Sequence, residues 1–187
     1  RDANGKFIWD KNGIPIKVPG KLKACKAVGW YIDEYKKAQV SMNLTNYLET
    51  PIYIAFEEIR KQANKRGLRV TGSEIVGLVP KKSLIDAGIY YLKKQNKPVS
   101  IPEEDIIHTA IDSLGLNDIS PFKQNKSIIE NRINPPSPLV NLPVREFINE
   151  ISIDSPAPGG GSVSALAGSL SVSLVSMVSN LSYNKKG

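Results

Sequence analysis

The sequence is short of the groups that carry most acid–base and redox chemistry. Its 187 residues include one cysteine, Cys25, and one histidine, His108. A lone cysteine excludes an internal disulfide, and no apolar signal-type run opens the chain, so a reducing, cytoplasmic setting is expected. No metal site is expected either. The opening RDANGK has no initiator methionine, which suggests a fragment or a processed chain. Residues 162–184 contain no charged side chain at all.

The charge that is present is lopsided. The net charge is +7, with 25 Lys and Arg against 18 Asp and Glu. Residues 1–97 hold 19 basic and 9 acidic residues, or +10, and residues 98–187 hold 6 and 9, or −3. A basic half fits an anionic partner, either nucleic acid or a polyanionic small molecule, and fits a solvated basic surface equally well.

Along the chain, residues 1–24 read as a polar arm, with Asn12-Gly13 as a hairpin turn between Trp9 and Ile14–Ile16. Residues 27–34 and 38–45 alternate and are joined by Tyr35-Lys36-Lys37, as in an antiparallel hairpin. Val28, Trp30 and Ile32 would share one side of the first strand. In the second, Val40, Met42 and Leu44 would face one way and Gln39, Ser41, Asn43 and Thr45 the other, giving one apolar and one polar sheet face. A helix follows, with Thr50 as cap, Pro51 in the first turn, and Ile52, Ala55, Phe56, Ile59 and Ala63 at helical spacing. Residues 68–79 suggest a third extended segment, broken by Gly72 and Gly77. Pro80 opens a second helix whose buried stripe is Leu84, Ile85, Ala87, Gly88, Tyr91 and Leu92. Ser100 and Glu103 form a possible capping box for a third helix, ended by Gly115. The Pro-rich stretch NPPSP at 134–138 reads as the linker between domains. The domains are thus a 1–24 arm, a 25–133 domain, a 134–142 linker and a helical 143–187 segment. The element order argues for α+β, with helices on one sheet face and the other face free.

The run DSPAPGGGSVSALAGSL poses the main puzzle. It lacks the Lys of a phosphate-binding P-loop, and Ser164 stands where a dinucleotide fingerprint needs a third glycine. The apolar stretch behind it has the length of a membrane span. However, Val163, Leu166, Ala167, Leu170, Leu174, Met177 and Leu181 fall on one stripe and Ser169, Ser173, Ser176 and Asn180 on another, which favours packing against other helices. Gly159, Gly160 and Gly161 leave the helix N-terminus bare, either as an anion site or as a hinge.

Longer motifs point to a family. GWYIDEYKKAQVSMNLTNY, RVTGSEIVGLVPKKSLIDAGIYYL and SLGLNDISPF resemble the C-terminal subdomain of glutamate formimidoyltransferases. SPAPGGGSVSALAGSL resembles the start of formiminotetrahydrofolate cyclodeaminase domains. The resemblance implies a ferredoxin-like antiparallel sheet and transfer of a formimino group from N-formimino-L-glutamate to tetrahydrofolate, in histidine degradation. It also implies an N-terminal transferase subdomain as partner, a homo-oligomeric intact protein, and no membrane or nucleic-acid partner. The family's catalytic His would lie upstream of Arg1, so His108 is read as a surface residue and the chain alone as inactive.

Within that resemblance, Glu74 is the expected substrate contact, because a carboxylate can accept two hydrogen bonds from a pterin's amino-pyrimidinone edge. Ser73, Gly72, Gly77, Asn43 and Thr45 would share the site. Lys81, Lys82 and the Gly159–Gly161 turn would draw the folate's anionic tail. The rival reading is a basic α+β nucleic-acid-binding module. It requires stacking aromatics on the free sheet face, where only Tyr31 offers itself.

Overall fold

The computed structural model describes residues 6–16, 20–133 and 138–183. The chain divides into two compact units, residues 1–50 and 51–187.

The first unit is built on hairpins. Trp9 and Pro15 bridge antiparallel, and Asp10 Oδ1 accepts from the Asn12 and Ile14 amides at 2.8 Å each. Gly13 takes φ +73° there, so the Asn-Gly turn stands where the sequence places it. Strands β1 (Cys25–Ile32) and β2 (Lys37–Leu44) pair antiparallel, joined by residues 33–36. Lys36 supplies the positive φ of that turn, and Lys37 already belongs to the strand.

The register corrects the expected faces. Val28 lies opposite Ser41, Trp30 opposite Gln39, and Lys26 opposite Asn43. Directly opposed residues share a face. Trp30 therefore stands on the face of Gln39, Ser41 and Asn43, while Tyr31, opposite Ala38, shares the face of Val40, Met42 and Leu44. Alternation within each strand was legible, but register joins the apolar side of β1 to the polar side of β2.

The second unit is helical: α1 (Ile52–Asn64), α2 (Lys81–Lys94), α3 (Glu103–Leu114), α4 (Gln124–Ser127), α5 (Ile129–Ile133), α6 (Val144–Ser152) and α7 (Gly160–Ser182). Its core lies between α2 and α3. Leu84, Ala87 and Tyr91 meet Ile107, Ala110, Ile111 and Leu114, with Val79, Leu116 and Ile128 closing the cluster. Gly88 lets the two helices cross closely, since a Cβ there would stand 2.1 Å from the Ile106 carbonyl oxygen. Gly115 (φ +64°) ends α3 in the left-handed region, as its position predicts.

Neither expected side-chain cap forms. Pro51 and Pro102 occupy the N-cap positions of α1 and α3 without a capping bond. The Thr50 hydroxyl donates instead to the Lys23 carbonyl, which ties down the end of the first unit. A proline at N-cap displaces the Ser or Thr before it by one or two positions, beyond reach of the helix amides.

The described residues hold a two-stranded sheet, so the fold is α+β, and the larger antiparallel sheet expected from the sequence is not formed by them. Residues 68–79 do not join it. Gly72, at φ +156°, and Gly77, at φ +84°, turn the backbone out of strand geometry. The segment's hydrogen bonds go elsewhere. The Ser73 amide donates to the Gly115 carbonyl, the Val79 amide to Ser127, and the Ile129 amide to Val79.

The NPPSP stretch lies largely outside the described residues, and Pro138–Asn141 form a short 3-10 turn. Beyond it, α7 is exposed along its length: Leu170, Val172, Leu174, Val175 and Met177 all face solvent. By length and composition it could cross a bilayer. Asn180 Nδ2 donates to the Ser100 carbonyl at 2.7 Å.

Candidate functional site

The site residues read from the sequence divide between the two units. Asn43 and Thr45 are exposed in the first, and the Thr45 amide donates to the Ala24 carbonyl. Gly72, Ser73, Glu74 and Gly77 lie in the second.

Glu74 lines a cavity of about 210 Å³ together with Ile75, Leu116, Ser120, Pro121, Phe122, Lys123, Lys126 and Ser127. Three local devices build it. Gly72 sits against the loop after α3, where a Cβ would fall 2.8 Å from Asp118 Cβ, so only glycine lets the chain pass. The Ser73 hydroxyl donates to the Leu114 carbonyl at 2.6 Å, which commits that side chain to anchoring the segment. Asn117 Oδ1 accepts from the Phe122 amide at 2.9 Å and shapes the opposite wall. The paired Val79–Ile128 bridge then holds α4, with Lys123 at its N-cap, beside the Glu74 segment. Phe122 is half-buried against the core, whereas Glu74, Lys123 and Lys126 are exposed.

The lysines expected to receive an anion are compensated. The Lys81 ammonium pairs with Glu103 at 3.0 Å, and the Lys81 amide, at the start of α2, donates to Glu130 Oε2 at 2.7 Å. The Lys82 ammonium lies 2.9 Å from both carboxylate oxygens of Asp86. The Gly159–Gly161 run forms the N-cap and first turn of α7, with no side-chain cap. His108 is exposed on α3 and lines neither this cavity nor the one on α1.

A larger depression, about 450 Å³, is lined by Glu57, Arg60, Lys61, Asn64 and Lys65. Four of these belong to α1 and Lys65 is its C-cap, so a single helix and its end line the depression. Beside it lies a charged cluster. Glu57 accepts from Lys94 (2.7 Å), Arg60 (2.7 Å) and the Tyr91 hydroxyl (3.2 Å). Partial burial alone would raise the Glu57 carboxyl, but the Lys94 hydrogen bond and the Arg60 and Lys94 charges outweigh it and hold it below the usual range. Burial, then the Glu57 charge and hydrogen bond, push the Tyr91 phenol well above its ordinary value. These bonds tie α1 to α2 and leave the carboxylate fully engaged.

Comparison with known proteins covers the stretch that contains the cavity. The profile of the formiminotransferase domain matches residues 7–134, a span that contains every residue lining it. The chain belongs to the formiminotransferase family. A second profile, formiminotransferase-cyclodeaminase, matches residues 143–187. The formimidoyltransferase-cyclodeaminase of Dictyostelium discoideum is 42% identical over 172 residues, covering 90% of this chain and 32% of that protein. That of Sus scrofa is 39% identical over 171 residues, covering 90% and 31%. The glutamate formimidoyltransferase of Streptococcus pyogenes serotype M1 is 43% identical over 77 residues, covering 41% and 26%. The chain thus spans about a third of the length of the two larger relatives.

Of the residues lining this cavity, sequence reading named Glu74 and did not name Phe122, Lys123 and Lys126. They sit in a stretch without periodicity, and only the fold brings them to Glu74.

Proposed function

We propose that this chain supplies part of the binding wall of a folate-dependent formimidoyltransferase, which moves the formimino group of N-formimino-L-glutamate to tetrahydrofolate. The supporting observation is the Glu74 cavity inside the region that matches the formiminotransferase domain. An ionised carboxylate only accepts hydrogen bonds. At Glu74 it complements the adjacent N–H donors of an amino-pyrimidinone ring or the N–H groups of a formamidine. Phe122 and Ile75 offer the apolar surface that a planar ring or alkyl chain covers.

No histidine lines this cavity. In this reading the proton-transfer group belongs to another part of the transferase, and the chain binds ligand without turnover. In the same reading, α7 is the first rod of a helical cyclodeaminase bundle, and the intact protein is a cytoplasmic homo-oligomer.

Titrating the chain with 5-formyltetrahydrofolate tests the binding role. Saturable binding that Glu74→Ala weakens about 10-fold, the loss of one charge-assisted contact, is the expected result. Turnover of formiminoglutamate by the chain alone would overturn the division of labour.

One observation favours a second reading. Trp30 is 45% exposed on the strand face that also carries Lys26, Lys37 and Gln39, and stacking aromatics beside cations suit single-stranded nucleic acid. Quenching of Trp30 by an oligonucleotide, lost steeply with added salt, together with no folate response, would establish that reading instead.

A further inference from the structure

We propose that the exposed face of α1 at Lys61 and Lys65 docks α6 of a second copy of this chain, through Glu146 and Glu150. This gives the homo-oligomer of the reading above a contact surface. It is independent of the folate chemistry, and either can fail while the other stands.

Charge carries the argument from both sides. On α1, Glu57 is already engaged by Arg60 and Lys94, at 2.7 Å each. Lys61 and Lys65 line the same depression, are exposed, and have no ion-pair partner among the described residues. The surplus on this surface is therefore positive. On α6 it is negative. Glu146 and Glu150 are exposed, likewise have no ion-pair partner among the described residues, and share their helix with a single cation, Arg145. Within one chain α6 buries none of its residues, so its carboxylates stay open to a neighbour.

The spacings match as well as the signs. Lys61 and Lys65 are four residues apart, as are Glu146 and Glu150, so each pair stands about 6 Å apart on one side of its helix. Antiparallel alignment sets Glu146 against Lys65 and Glu150 against Lys61. It also brings the N-terminal end of α6 to the C-terminal end of α1, where the two helix dipoles attract. The apolar side of α6 does not compete. Helical spacing gathers Val144, Phe147, Ile148 and Ile151 on a different side from the two carboxylates, free for apolar partners. A nucleic acid fits this surface less well, because none of the five residues lining the depression is aromatic and bases would find no stacking surface. A two-fold pair makes the contact twice, α1 to α6 and α6 to α1. Each contact is about two helical turns long, so the association is weak and salt-sensitive.

Zero-length carbodiimide crosslinking of the 187-residue chain, read by peptide mass spectrometry, tests the docking. Wild type should yield Lys65–Glu146 and Lys61–Glu150 crosslinks. Each exposed pair contributes roughly 1.5–5-fold in affinity. Four such pairs in a reciprocal dimer predict that crosslinking falls on the order of tenfold or more between low and high salt. Lys61→Glu/Lys65→Glu and Glu146→Lys/Glu150→Lys should each lose these crosslinks alone, because like charges then face each other. Mixing the two variants should restore them, because α1 of each then meets a complementary α6 of the other. Lys93→Glu/Lys97→Glu, which reverses two exposed charges elsewhere, should leave the wild-type crosslinks in place. Unchanged circular dichroism checks the fold.

Absence of both crosslinks in wild type at low salt overturns the assignment, as does their persistence undiminished at high salt. Wild-type crosslinks that mixing the variants fails to restore would show α6 folding back within one chain, and would overturn the second copy as occupant. A labelled oligonucleotide that binds through Lys61 and Lys65 while the crosslinks are missing would give the face to nucleic acid instead.

Discussion

Replacing Gly88 with alanine tests the packing that underlies the second unit. A Cβ at this position would lie 2.1 Å from the Ile106 carbonyl oxygen, 2.6 Å from Ile106 Cγ2 and 2.8 Å from the Ile106 carbonyl carbon. Ordinary contact begins near 3.4 Å, so the helices must separate locally by 3.4 − 2.1, or about 1.3 Å. The obstructing atom belongs to the backbone of α3 and cannot swing aside. Relief must come from moving α2, which carries the buried Leu84, Ala87 and Tyr91. Overpacking of a core costs about 1–3 kcal/mol, and a backbone clash of this depth belongs at the top of that range. Alanine recovers about 1 kcal/mol of helix propensity relative to glycine. The net loss is about 2 kcal/mol, or roughly 4–8 °C in Tm for a chain of this size. Thermal unfolding followed by far-UV circular dichroism measures it. Gly168→Ala in α7 is the matched control, because nothing lies within 4 Å of the added methyl, and it should be neutral or slightly stabilising. If Gly88→Ala melts at or above the wild-type temperature, the α2–α3 crossing is wrong.

Three further outcomes follow from the same geometry. Glu130→Ala removes the carboxylate that accepts from the Lys81 amide at the start of α2, and should cost about 1 kcal/mol in urea unfolding, as the loss of a helix cap does. Gly72→Ala places a methyl 2.8 Å from Asp118 Cβ and should abolish 5-formyltetrahydrofolate binding while largely preserving helix content; unchanged titration curves would refute it. Glu57 has a depressed carboxyl pKa, so its stabilising contribution is complete above the unfolded value of 4.5 and is lost as pH falls through the folded one. Glu57→Gln should flatten the acid limb of the stability curve, and an unaltered acid limb would show that the Lys94 and Arg60 contacts are not stabilising.

The helices were legible because their signals are local. The stripes Leu84–Ala87–Tyr91 and Ile107–Ala110–Ile111–Leu114 repeat at helical spacing and are the buried faces. Gly115 stops α3 through its own φ. Register and long-range pairing were not legible. Nothing within AVGWYIDE says that Trp30 meets Gln39 rather than Val40, although a shift of one residue exchanges the faces. The segment LRVTGSEIVGLV has strand composition, yet two glycines divert its hydrogen bonds to the end of α3 and to residues 127–129. In the candidate site, Glu74 stood out as a carboxylate in an apolar run, whereas Lys123 and Lys126 carry no motif. Conversely, the partners of Lys81, Glu103 and Glu130, could not be placed beside it from sequence, whereas Asp86 stands four residues after Lys82 on one helix and that pair was legible.

The serines of α7 bear on what that helix can face. Ser171 and Ser173 return their hydroxyls to the carbonyls of Ala167 and Ser169, at 2.9 and 2.8 Å. A hydroxyl bonded four residues back has no unmet donor, so these serines tolerate an apolar neighbour. They are also small, as are Ala165, Ala167 and Gly168, so a partner backbone could approach closely at several points around the helix. Lipid chains gain nothing from such closeness, but a second helix gains dispersion contacts over its whole length. Length and apolarity alone fit either surrounding. A concentration of small, internally bonded residues fits a helix packed against another helix, whether within a bilayer or outside one.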